Sequence, residues 1–192
     1  MPAPELPVLH FETPQAWEQW LAASTAAAGV WLKIAKKDAG IASVTYAEAL
    51  DVALCHGWID GQKKGLDAQF FLQRFTPRRP RSLWSKINVA KVKALAAAGR
   101  LRPAGLREVE AAKADGRWAA AYSGAASMEV PEELAKALAK NRKARSFFEA
   151  LDKTNRYAVC WRVQTARKPE TRAARIETLV AMLARGEKIH TT

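Results

Sequence analysis

The hydrophobic period of this 192-residue chain changes at Asn88, and the change asks for two kinds of structure in one sequence. Ahead of it, residues 58–66 and 69–77 read as two strands of a hairpin turning near Asp67-Ala68. Pro77 and Pro80 end the ribbon, because neither can donate to a ladder. In that register Gln62 faces Gln73 and Asp60 faces Phe75. Beyond Asn88 every segment reads as helix.

Local signals place the other elements. Thr13-Pro14 is a helix cap followed by proline at the first helical position, and Trp17, Trp20, Leu21 and Ser24 share a face ahead of a stop at Gly29. The stretch "GVWLKIAKK" alternates as a short strand, with Val30, Leu32 and Ile34 on one side. Thr45 and Glu48 form a capping box for a helix over 46–56 that is expected to bury Tyr46, Leu50, Ala53 and Leu54 and to end at Gly57. Asn88 is expected to cap a helix with Val89, Val92, Leu95 and Ala96 inward. Pro103 starts the next, with Leu106 and Val109 inward, and Pro131 and Pro169 start later ones.

These signals predict an α+β fold. A small antiparallel sheet, one strand plus the hairpin, stands with helices in the N-terminal half, and the C-terminal half is all-helical. The stretch "RWAAAYSGAASMEV" reads as a linker between an α+β domain at 1–118 and a helical region at 127–192 packed on it. A chain of this length buries about 70% of its unfolded surface, so no disulfide or metal is needed to hold it together. Cys55 and Cys160 are expected as reduced, packed thiols. The N-terminus carries prolines and glutamates where a signal peptide would carry basic and then apolar residues, and no apolar run approaches a membrane span, which predicts a cytoplasmic protein.

Charge is unevenly placed. The net is +12, yet residues 1–61 hold three Lys/Arg against seven Asp/Glu, while residues 62–93 hold nine against one. That basic segment comprises Lys63, Lys64, Arg74, Arg78, Arg79, Arg81, Lys86, Lys91 and Lys93, interleaved with Phe70, Phe71, Phe75 and Trp84. Guanidinium forks suit phosphate and carboxylate oxygens, and aromatic neighbours stack on bases or on the guanidinium itself. A second concentration, Arg162, Arg167, Lys168, Arg172 and Arg175, surrounds a helix–Pro–helix joint whose free amides also attract anions.

The favoured reading is a non-enzymatic stress-protection protein whose partner is an anionic ligand, nucleic acid or a phosphate-rich small molecule. Its expected ligand-binding residues are Asp60, Gln62, Gln73, Arg74, Arg78, Arg79, Trp84, Arg167 and Arg172. The alternative is a small-molecule enzyme with a polar pocket around His56, Asp60, Gln62 and Arg74, in which Asp60 orients the imidazole for proton transfer. No zinc spacing and no Walker or Rossmann glycine signature occurs, so no metal site and no cofactor is predicted.

Together "ALCHGWIDGQ", "FLQRFTPRRPRSLWSKIN" and "ARKPETRAARIETLVAMLARG" resemble the bacteriocin-protection family called YdeI/OmpD-associated, over most of the chain from Trp17 to Gly186. His56 is not part of that resemblance. The resemblance implies a link to tolerance of bacteriocins and cationic antimicrobial peptides, and some members are periplasmic. A chain of net charge +12 repels a cationic peptide, so direct sequestration on the basic face conflicts with electrostatics.

Overall fold

A computed structural model describes residues 6–26 and 28–191. Among these the fold mixes eight helices with one four-stranded sheet. The chain divides into two compact units: the first is Met1–Trp84 with Asn88–Ala120, and the second is Ser85–Ile87 with Ala121–Thr192.

The first unit is built on strands β1 (Val8–Leu9), β2 (Val30–Ala35), β3 (Trp58–Gly65) and β4 (Phe70–Pro77), in the order β1-β2-β4-β3. β4 runs antiparallel to both β2 and β3, whereas β1 lies parallel to β2. The sheet is therefore mixed, a correction to the antiparallel sheet expected, and the two-residue β1 has too few residues to show a period. Val30, Leu32 and Ile34 are buried, as the alternation predicts.

Helix α1 (Pro14–Ala23) starts at Thr13, whose hydroxyl accepts the Ala16 amide, and helix α2 (Tyr46–Cys55) starts at the complete Thr45–Glu48 capping box. Trp17 on α1 is fully buried; its ring lies 5.7 Å from Phe75 and its indole N–H donates to the Ala49 carbonyl at 3.1 Å. One face of the sheet is thereby committed to the core.

Several local expectations need correction. Tyr46 is exposed, because its hydroxyl reaches out to donate to Asp60 Oδ2 at 2.8 Å. Asn88 is no cap: helix α3 spans Lys86–Ala97 and carries it as a buried interior residue. Ala96 and Leu106 are exposed. In the hairpin Asp60 does pair with Phe75, but a register shift between Asp60 and Lys63 brings Lys63, not Gln62, opposite Gln73.

Helix α4 (Pro103–Ala114) completes the first unit, and Gly105 lets it approach α2. A Cβ on Gly105 would stand 2.3 Å from the Cys55 carbonyl oxygen. The second unit holds α5 (Glu132–Ala139), α6 (Arg142–Ala150), α7 (Lys153–Gln164) and α8 (Pro169–Ala184) around Leu134, Leu138, Phe148, Val159, Val163, Leu179 and Leu183. The all-helical expectation is met only in part: helices occupy both halves, and Tyr122 of this unit forms a parallel β-bridge with Ser85. Cys55 and Cys160 are buried free thiols. No described helix is long and apolar enough to cross a membrane.

Candidate functional site

Strand alternation and the pairing register fix what the sheet presents on the face away from α1. Trp31 pairs with Val8 and Arg74, Lys33 with Leu72, and Ala35 with Phe70, so these side chains share the outer face. Lys64, opposite Leu72 across the hairpin, joins them. The Lys64 ammonium stands 4.3 Å from the Trp31 ring centroid and that of Lys33 stands 4.5 Å from the Phe70 ring. His10 closes edge-on against Phe70 at 5.7 Å, and its Nδ1 lies 3.0 Å from the Lys33 carbonyl oxygen.

Two properties of this face matter chemically. It carries Lys33, Lys64 and Arg74, while the sole acidic residue in the four strands, Asp60, lies on the core face beside Phe75. Its two aromatic rings are half-buried, and an ammonium group lies over each, which a flat anionic ligand can displace. The Arg74 Nε is buried and makes no hydrogen bond among the described residues. That nitrogen is enclosed, so what Arg74 offers a ligand on this face is the charge of its guanidinium, on the residue paired with Trp31.

The seven expected residues that belong to the first unit do not gather in one place. Arg74 alone lies on the outer face. Gln73 points to the core face, where its side-chain amide donates to the Gly61 and Gln62 carbonyls at 2.9 and 3.3 Å and so holds the bulge in β3. Gln62 is exposed on that bulge. Asp60 is bonded to Tyr46, and partial desolvation of the phenol, with this carboxylate second, raises it above its ordinary range.

Arg78 is 6% exposed and lies flat on Trp84, which is 2% exposed, with 3.5 Å between the guanidinium carbon and the ring centroid. Its Nη1 donates to the Leu83 carbonyl at 3.1 Å. This pair is an internal brace for residues 78–84, because a guanidinium so enclosed cannot reach a ligand. Arg79 is exposed, and Lys91 is committed to Asp51 at 2.7 Å.

In the second unit Arg167 is exposed, whereas Arg172 donates through Nε and Nη2 to the Ala166 carbonyl at 3.1 and 3.0 Å. That second arginine satisfies an orphan acceptor just beyond the end of α7. His56, the base of the alternative reading, lines a cavity with Glu18 and Arg102, and none of Asp60, Gln62 or Arg74 lines it.

Trp31, Lys33 and His10 are the residues that sequence reasoning passed over. The inward alternation of Val30, Leu32 and Ile34 was their signal, since it sends Trp31 and Lys33 to the other side. Among the described residues no group of three or more His, Cys, Asp or Glu is placed to hold a metal ion.

Residues 127–186 match the family model described as Bacteriocin-protection, YdeI or OmpD-Associated, and residues 9–108 match that described as Domain of unknown function (DUF8412). The first match is narrower than the span from Trp17 that the quoted motifs suggest: the Gly57–Asp60 turn and the Gln73–Arg78 strand fall within the second. No curated protein and no solved structure matches the chain. The outer sheet face thus lies inside the DUF8412 match, which spans just over half of the sequence, and the chain belongs to that family while carrying a bacteriocin-protection, YdeI or OmpD-associated domain at its C-terminal end.

Proposed function

We propose that this protein is a non-enzymatic protection factor that binds single-stranded nucleic acid on the outer face of its sheet. The observation that carries the reading is the grouping of Trp31 and Phe70 with Lys33, Lys64 and Arg74 on a face to which the strands contribute no carboxylate. Bases stack on the two rings, the ammonium groups that now cover them move aside onto phosphates, and Arg74 adds a third positive charge. Stacking works with every base, so the face binds with little sequence preference, and neutralised phosphates make the affinity fall with salt. Net charge +12 strengthens encounter with any polyanion.

The test is anisotropy of a labelled thymidine oligonucleotide. Binding at low salt is expected, weakening by about 0.7 log unit per neutralised phosphate for each log unit of salt. The double variant Lys33→Glu/Lys64→Glu is expected to lose most of that binding while keeping the fold. An oligonucleotide that does not bind at low salt, or one indifferent to this charge reversal, overturns the reading.

A further inference from the structure

A cavity of about 750 Å³ opens in the first unit at the start of α4, lined among others by Glu18, His56, Trp58, Arg102, Ala104 and Arg107. It does not involve the sheet's outer face. Four features of it point the same way.

The first is the helix start. Arg102 occupies the N-cap of α4, a 12-residue helix, and makes no side-chain cap bond; Pro103 follows at the first helical position. An arginine offers no acceptor to the first-turn amides, so the positive end of the helix dipole opens into the recess without a capping oxygen.

The second is an incompletely used guanidinium. Arg102 spends one edge on Glu18, with Nε and Nη2 at 2.9 and 2.6 Å from Oε1, and its Nη1 has no hydrogen-bond partner among the described residues. The third is Arg107, five residues on, which is exposed and has no ion-pair partner among the described residues.

The fourth is His56. Its side chain is 9% exposed, and its buried Nε2 makes no hydrogen bond among the described residues; Glu18 Oε1 is 3.6 Å away. Burial holds this imidazole below its ordinary range, against the opposite pull of Glu18, so it adds no charge near neutral pH. Two guanidinium groups against one carboxylate leave a single uncompensated positive charge at an open recess whose lining is part polar and part apolar.

We propose that this cavity binds a small organic anion through its carboxylate or phosphate group, held by Arg102 Nη1, Arg107 and the Ala104 amide at the start of α4. Trp58, 7% exposed, forms an apolar wall for the rest of the molecule. A helix start and two arginines are matched to one oxyanion.

Calorimetric titration of the whole chain with inorganic phosphate, acetate and benzoate tests this. Saturable binding of at least one probe is expected, and preference for phosphate or for the carboxylates names the source of the oxyanion. Arg107→Ala, a change at an exposed position that leaves the fold intact, is expected to weaken it about tenfold or more. Lys64→Glu, on the outer sheet face, is expected to leave it within about twofold. No saturable heat for any probe up to about 10 mM overturns the proposal. So does binding that ignores Arg107→Ala, or binding lost with Lys64→Glu, which places the anion on the sheet. Oligonucleotide binding is read separately, so either site can fail alone.

Discussion

The guanidinium of Arg78 lies 3.5 Å from the centre of the Trp84 ring, and both side chains are almost wholly enclosed. A basic run thus contains one arginine that belongs to the interior. The contact is a desolvated cation–π pair, supported by the bond to the Leu83 carbonyl. Arg78→Ala is expected to destabilise the first unit by about 2–4 kcal/mol, since it removes the stack and leaves carbonyls without their donor. Arg79→Ala, one residue on and exposed, is expected to change stability by less than about 0.5 kcal/mol. Urea denaturation of the two variants separates them; equal midpoints contradict the brace.

On the outer sheet face Trp31 is the side chain to remove. Trp31→Ala is expected to weaken oligonucleotide binding by about 5- to 100-fold, the range of one lost stacking contact, while Trp31→Phe retains most of it. The covering Lys64 ammonium makes a second readout possible. Binding moves it from the indole, so tryptophan emission is expected to change on saturation in the wild type and to change less in Trp31→Phe.

How far the site could be read from sequence depends on where each contact lies along the chain. The period-2 pattern of β2 correctly sorts Val30, Leu32 and Ile34 inward, and the hairpin turn at Asp67-Ala68 is local enough to see. The outer face needs more, because Trp31 meets Arg74 and Lys64 only through a register spread over three strands. One extra residue at the β3 bulge moves Gln62 out of its predicted pairing, and the glycine beside it is the sole local sign.

Burial within "TPRRPR" is likewise illegible, since adjacent arginines have identical chemistry and only Trp84, six residues after Arg78, selects one of them. Contacts between Glu18 and Arg102 span 84 positions and no periodicity reports them. The capping box of α2 and the prolines that open the helices, by contrast, are short-range chemistry and are readable.

Gly105 governs how closely α4 can lie on α2. Its absent Cβ would sit 2.3 Å from the Cys55 oxygen and 3.0 Å from the Leu54 oxygen, both backbone atoms that cannot rotate away. Gly105→Ala is therefore expected to destabilise by about 1–3 kcal/mol, against the usual gain of alanine over glycine inside a helix. The same displacement shifts Arg102 and Arg107, so phosphate or carboxylate binding in the cavity is expected to fall with it. A variant that is as stable as the wild type contradicts the close approach.

Acid stability follows from the groups at that cavity. The buried His56 imidazole sits below its ordinary value, so between that lowered value and about 6.5 the unfolded chain binds a proton that the native one refuses. Stability must then fall as pH drops through this window. Glu18 works at lower pH: its hydrogen bonds with Arg102 hold the carboxyl below the usual range, so the stability it contributes is present above its unfolded value and lost as pH falls through the folded one. The urea midpoint is expected to decline from about pH 7.5 to 5.5, and His56→Gln, which cannot take the proton, flattens that part of the curve. Glu18→Gln is expected to lower stability at neutral pH and to flatten the more acidic part, because the ion pair with Arg102 is already gone. A midpoint that rises on acidification, or a His56→Gln curve parallel to the wild type, means that this imidazole is not the titrating group.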